Sequence, residues 1–225
     1  MKKFFYLLTV VSILMISTGL VLAGDVVAKV KANGTVKIKE GKKKEDDIRA
    51  KNSVVIGADG AVANAVITIK GAKGVKAGSV TVDQKDRVFV PHAMTIAPGT
   101  TVNFTTQDEL DHTTYATDET NAVANIKDPI KLHMPGDKGT HKFEKPGIVD
   151  LRCKDHKRMQ LWVIVTDEYA GVTDKNGVAT IKGVPAGKYT AEVWHEVLGT
   201  KTAEVTVGAS GNVEVSFTLD GNKEI

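Results

Sequence analysis

Short runs of alternating apolar and polar residues, closed by turn dipeptides, recur along most of the chain and constrain its fold more than any other feature. Alternation with a period of two puts every second side chain on one face, the pattern of a half-buried strand, and little of the chain carries a helical period. Residues 54–56, 65–69, 79–82, 88–90, 100–104, 149–151, 161–165, 189–194, 202–207 and 212–219 read as strands. Asp59-Gly60, Pro98-Gly99, Pro135-Gly136, Pro146-Gly147, Asn176-Gly177, Ala186-Gly187 and Gly211-Asn212 separate them. Many short strands at this spacing predict an all-β chain built as sandwiches or barrels. Residues 118–128 are mostly polar and read as a loop or an irregular helical turn.

The start of the chain is different. Lys2 and Lys3 precede an almost unbroken apolar run over 4–22, and Val21-Leu22-Ala23 offers a small-residue cleavage pattern. Residues 1–23 therefore read as a secretory signal peptide, and the protein as periplasmic or extracytoplasmic. The run is also close to the roughly 20 residues that span a bilayer, so an uncleaved membrane anchor is the alternative. No cysteine follows it to carry a lipid. Losing two lysines from a net charge of +3 leaves the rest nearly neutral, and aromatic residues make up only 5%. Nucleic-acid binding, which calls for a basic face with interleaved aromatics, is not expected. The one marked charge run, 37–51, reads as a solvated loop or strand edge.

A single cysteine in an exported chain has no internal disulfide partner, so it is buried and inert, paired to another chain, or held by a metal. Its neighbours favour the metal. Cys153, His156 and Met159 lie at C-x2-H-x2-M spacing, short enough for one loop to turn three side chains toward one point, and His112 supplies a second imidazole upstream. Two histidines, a cysteine and a weak axial methionine are the donors of a blue-copper electron-transfer site. Iron–sulfur clusters and structural zinc usually need more thiolates than this chain has.

Val88-Phe89-Val90-Pro91, then Ile96-Ala97-Pro98-Gly99-Thr100-Thr101-Val102-Asn103-Phe104, then 108–112, Phe143, Pro146-Gly147 and the Cys-His-Met loop together resemble the plastocyanin and amicyanin type of cupredoxin. The short metal loop is most similar to that of amicyanin. The resemblance covers 78–166 and implies a Greek-key β-sandwich with one type 1 copper ion bound by His112, Cys153, His156 and Met159, and His156 as the partly exposed ligand through which electrons leave. Two departures stand out. Thr113 follows the first histidine where the family commonly has an asparagine that ties the ligand loops together, and Asp155 and Lys157 replace prolines often found beside the second histidine.

The end of the chain, 167–225, looks like the C-terminal part of a carboxypeptidase-regulatory-like module, a small sandwich of transthyretin type. Residues 24–77 resemble its opening strands, which would make the cupredoxin an insertion between two halves. The alternative is an N-terminal extension on the cupredoxin followed by a separate tail domain. His92, His133, His141 and His195 read as surface or packing residues, joined by no short ligand spacing. No H-x-H pair, phosphate loop, G-x-S-x-G elbow or H-E-x-x-H motif is present, and one copper passes one electron, so the chain is expected not to be an enzyme. Arg152, Lys154, Lys157 and Arg158 against Asp155 suggest that a redox partner, such as a cytochrome or dehydrogenase, docks through an acidic face. Copper storage or delivery, or a structural surface role, are the competing readings.

Overall fold

A computed structural model describes residues 22–37, 56–57 and 59–224. Most of the expected signal, most of the 37–51 charge run and two residues of the 54–56 strand lie outside the described residues. Among the described residues the chain is nearly all β, with one short helix, as the alternation predicts.

The strands, in chain order, are β1 (Ala23–Asn33), β2 (Val66–Lys73), β3 (Ser79–Lys85), β4 (Val88–Val90), β5 (Ala93–Ile96), β6 (Thr100–Thr106), β7 (His112–Ala116), β8 (Ile130–Leu132), β9 (Lys138–Phe143), β10 (Gly147–Cys153), β11 (Gln160–Val165), β12 (Glu168–Val172), β13 (Val178–Pro185), β14 (Gly187–His195), β15 (Gly199–Val207) and β16 (Asn212–Asp220). They form four sheets, ordered β4-β3-β6-β9, β5-β11-β10-β7-β8, β13-β1-β16 and β12-β2-β14-β15.

The first two sheets pack face to face as one β-sandwich. Strand β6 shows why: its burial alternates perfectly, with Val102 and Phe104 turned inward beside Thr100 and Thr106. Val82, Phe104, Leu132, Phe143, Val149, Leu151, Leu161 and Val163 fill the space between the sheets, and Cys153 and Met159 belong to the same buried cluster. Helix α1 (Asp118–Ala124) crosses the region read as loop or irregular turn. Asp118 and Glu119 in its first turn suit the positive end of the helix, and Asn125 stops it in the left-handed conformation with φ 55°.

The other two sheets form a second sandwich from both ends of the chain. β1 runs antiparallel to β13 and parallel to β16, while β2 lies between β12 and β14. Val26, Ala28, Val30, Ile67, Ile69, Ala191, Val193, Phe217 and Leu219 make its core. Gly177, at φ +72°, turns the chain from β12 to β13 directly beneath β1, and a Cβ there would stand 2.4 Å from the Val30 carbonyl oxygen. The Asn-Gly turn thus serves close approach as well as chain reversal.

The sandwiches meet along β5 and β11 on one side and β2, β12 and β14 on the other. Val66, Ala93 and Ile164 are buried there, with Trp162, Val172 and Trp194 packed against them. Polar contacts reinforce the seam. Glu196, just beyond β14, accepts the indole N–H of Trp162 at 2.6 Å and pairs with the imidazole of His92. His195 beside it is 1% exposed, and its Nδ1 accepts the backbone N–H of Val197 at 3.1 Å, tying down the turn that presents Glu196. Burial pushes the His195 pKa down to about 4, so the ring is neutral at ordinary pH. His92 and His195 thus pack between or within the sandwiches, and His141 donates its Nε2–H to the Ala124 carbonyl at 2.7 Å.

Candidate metal centre

Cys153 is the last residue of β10 and His112 the first of β7, and these strands pair antiparallel with Cys153 opposite Thr114. Two groups 41 positions apart in sequence are thereby fixed side by side by backbone hydrogen bonds. His156 joins them from the loop between β10 and β11, which Met159 closes by donating its backbone N–H to the His156 carbonyl at 3.0 Å. The donor atoms of His112, Cys153 and His156 all lie within 4.8 Å of one another. Cys153 Sγ is 3.8 Å from His112 Nδ1 and 3.9 Å from His156 Nδ1. Met159 is 1% exposed, in the core cluster that contains Cys153.

Electrostatics favour a neutral imidazole at His156. Burial lowers the pKa of His156, and the nearby His112 and Arg87 push it the same way. Burial pushes the Cys153 thiol up, opposed by the backbone N–H of Thr113, which points at the sulfur from 3.4 Å. The proton on such a thiol is displaced when a metal binds, because only the thiolate is a ligand.

The set fits a copper ion. Metal–ligand bonds of about 2.0–2.3 Å separate two donors of one ion by roughly 3.5–4 Å, as found between the sulfur and both nitrogens, and one thiolate with two imidazoles and a buried thioether is a soft, nitrogen-rich set.

Asp108 is the neighbour that sequence reasoning did not assign. Its carboxylate, only 10% exposed, accepts Nε2–H of His112 at 3.0 Å. This fixes the tautomer, leaving Nδ1 with its lone pair toward Cys153. The same carboxylate accepts the backbone N–H groups of Asp86 at 2.7 Å and Arg87 at 3.0 Å. Those two residues form the turn between β3 and β4 with φ of 54° and 60°, a conformation costing roughly 1–2 kcal/mol for each non-glycine residue. Although burial raises its pKa, these hydrogen bonds outweigh that and hold Asp108 below the usual carboxylate value.

The departure at Thr113 has a local explanation. Its carbonyl accepts the Lys154 N–H at 2.9 Å while its own N–H meets Cys153 Sγ, so main-chain groups join the ligand loops. The basic neighbourhood is weaker than its sequence suggests: Arg152 forms a two-pronged pair with Asp150 at 2.7 and 2.6 Å, and Gln160 donates to the same carboxylate. Lys154 stands over the Tyr115 ring, and Lys157 is exposed.

Comparison with curated proteins gives no match. Among solved structures, a purple cupredoxin from Nitrosopumilus maritimus is 22% identical over 39% of this chain and 99% of its own, with a TM-score of 0.34. Amicyanin from Paracoccus versutus is 23% identical over 44% of this chain and 97% of its own, with a TM-score of 0.33. A copper-containing nitrite reductase from Thermus scotoductus is 26% identical over 43% of this chain but 24% of its own, with a TM-score of 0.34. Residues 76–166 match the family model described as copper binding proteins, plastocyanin/azurin family, so the segment that gathers His112, Cys153 and His156 has the sequence pattern of a cupredoxin as well as the β-sandwich fold.

Proposed function

We propose that the chain is an exported type 1 copper protein that carries single electrons between redox partners, and is not an enzyme. The observation that carries this reading is the convergence of one thiol and two imidazole nitrogens within 4.8 Å, inside the segment that matches a copper-binding family. Copper held by His112, Cys153, His156 and Met159 would supply a Cu(I)/Cu(II) couple.

The chain's own residues do the rest. Paired strands hold His112 and Cys153 in place whichever oxidation state is present, which limits rearrangement on electron transfer. His112 and Cys153 are closed off from solvent, whereas His156 is partly exposed and offers the outlet. The enclosed arrangement favours a carrier over a storage or delivery protein. Lys154 and Lys157 on the metal loop support a partner with an acidic docking face, with Arg152 largely neutralised by Asp150. The basic start and apolar run of the first 23 residues support export to the periplasm or another extracytoplasmic space. Among the described residues no helix is long and apolar enough to cross a membrane. The seven strands of the second sandwich support a carboxypeptidase-regulatory-like module, 24–77 with 167–225, interrupted by the cupredoxin at 78–166.

The test is to add Cu(II) to the purified protein and titrate it reductively. An intense band near about 600 nm that disappears with uptake of one electron is expected, and its absence at full copper occupancy defeats the reading. Asp108 gives a second measurement. Asp108→Asn keeps an acceptor for His112 Nε2–H but removes the negative charge that makes the imidazole a stronger donor to Cu(II). The potential of the variant should rise, by about 59 mV for each tenfold loss of Cu(II) affinity relative to Cu(I). An unchanged or lower potential would mean that the carboxylate's charge does not reach the metal.

A further inference from the structure

Beyond the buried centre, the same end of the cupredoxin carries an exposed imidazole and an exposed thioether on consecutive residues. We propose that His133 and Met134 form a surface acquisition site for Cu(I), from which the ion passes to the buried donors; the inference rests on the copper reading above.

The placement comes from the β7–β8 ladder. His112 lies directly opposite Leu132, the last residue of β8. Opposed residues sit about 5 Å apart at Cα and each further residue adds about 3.3 Å, so His133 begins one step from a residue facing the ligand histidine. Its cross-strand partner continues the ladder: His133 Nδ1 bonds to Asp111, the residue before His112, at 3.0 Å. An imidazole that donates Nδ1–H to a carboxylate keeps its lone pair on Nε2, the arrangement found for histidines that ligate metals. The side chain is 60% exposed, so metal can reach it.

Met134 is also 60% exposed, the highest value among the exposed large hydrophobic residues of the described chain, although a thioether packs readily in a core. Its backbone is held firmly. The Asp137 carboxylate accepts the N–H of both His133, at 2.7 Å, and Met134, at 3.2 Å, and Asp137 returns its own N–H to the Met134 carbonyl at 3.1 Å. A fixed turn therefore carries a soft sulfur donor and an oriented imidazole on consecutive residues. Thioether and imidazole suit Cu(I), whereas hard cations prefer carboxylate oxygens. Transfer inward is a ligand exchange with no change of oxidation state: Cu(I) leaves His133 and Met134, and Cys153 loses its thiol proton to solvent as it binds.

The experiment mixes apo-protein with Cu(I) held by a chromogenic chelator and follows loss of the chelate colour, then oxidises the product and records the final band near about 600 nm. Met134→Leu preserves apolar area and removes sulfur; His133→Asn preserves polarity and removes the imidazole. Each variant should load about 10-fold more slowly, the lower end of the cost of disturbing an oriented metal ligand, yet reach the wild-type band and potential. Wild-type rates in both variants overturn the acquisition site and leave the copper centre standing. A wild-type protein that loads without ever giving the band overturns the type 1 reading, and the acquisition site with it. A variant with a lower final band but the wild-type rate also counts against the proposal, since His133 and Met134 would then act on the centre itself.

Discussion

Cys153→Ser is expected to erase the intense absorption near about 600 nm at every copper concentration, while the folded sandwich survives. The band requires a thiolate bonded to copper, and the chain has no other sulfur of that kind, because Cys153 is its single cysteine. Serine is close in size and keeps an acceptor for the Thr113 N–H, so the 3% exposed site suffers little loss of packing. Its hydroxyl does not ionise at working pH and offers only a hard, neutral oxygen. Copper affinity should therefore fall by more than the 10- to 100-fold that follows loss of a partner one shell out. Any copper retained on His112 and His156 should show only weak, shifted absorption. The checks are an absorption titration and far-ultraviolet circular dichroism of the same sample. A persistent intense band would put another donor at the centre and remove Cys153 from it; lost dichroism would mark misfolding, and a Cys153→Ala variant would then separate the two effects.

The three converging donors were legible because two of them share one short loop, and His112 stood out upstream as a second imidazole in the order that the cupredoxin resemblance implies. Asp108 was not legible, because two of its hydrogen-bond donors come from the turn between β3 and β4, and nothing local in 108–112 announces that turn. Strand β7 escaped the alternation test for a related reason: its inward positions are His112, Thr114 and Ala116, two of them polar by composition yet buried by the site and its surroundings. β1 was hidden by the apolar run that precedes it, although Val26, Ala28 and Val30 alternate cleanly once separated from that run. The charge count around the metal loop left out Asp150, which pairs with Arg152. Asp150 and Arg152 lie two apart on one strand, and that spacing puts them on one face, where they pair. The role of Trp194-His195-Glu196 could not be read locally, because its partners His92 and Trp162 come from the other sandwich.

That seam leads to the second large effect. Glu196→Ala should destabilise the copper-loaded protein by about 2 kcal/mol, within the cost of leaving a buried hydrogen-bonding group without its partner. The Glu196 side chain is 9% exposed and that of His92 13%, so solvent cannot fully replace the lost carboxylate. The indole N–H of Trp162 loses its acceptor as well. Both tryptophans of the chain, Trp162 and Trp194, meet here with ring centroids 5.2 Å apart, so tryptophan fluorescence reports the seam. The band near about 600 nm reports the metal end of the cupredoxin. In the wild type the two signals should change together in denaturant, as a cooperative unit requires. In Glu196→Ala the fluorescence change should come first, with the band following at higher denaturant, because the seam opens before either core melts. Glu196→Gln retains an acceptor for the indole and should lie between the two. If both signals still coincide in Glu196→Ala and stability falls by well under 1 kcal/mol, apolar contact among Val66, Ala93, Ile164 and the two tryptophans holds the sandwiches together without the carboxylate.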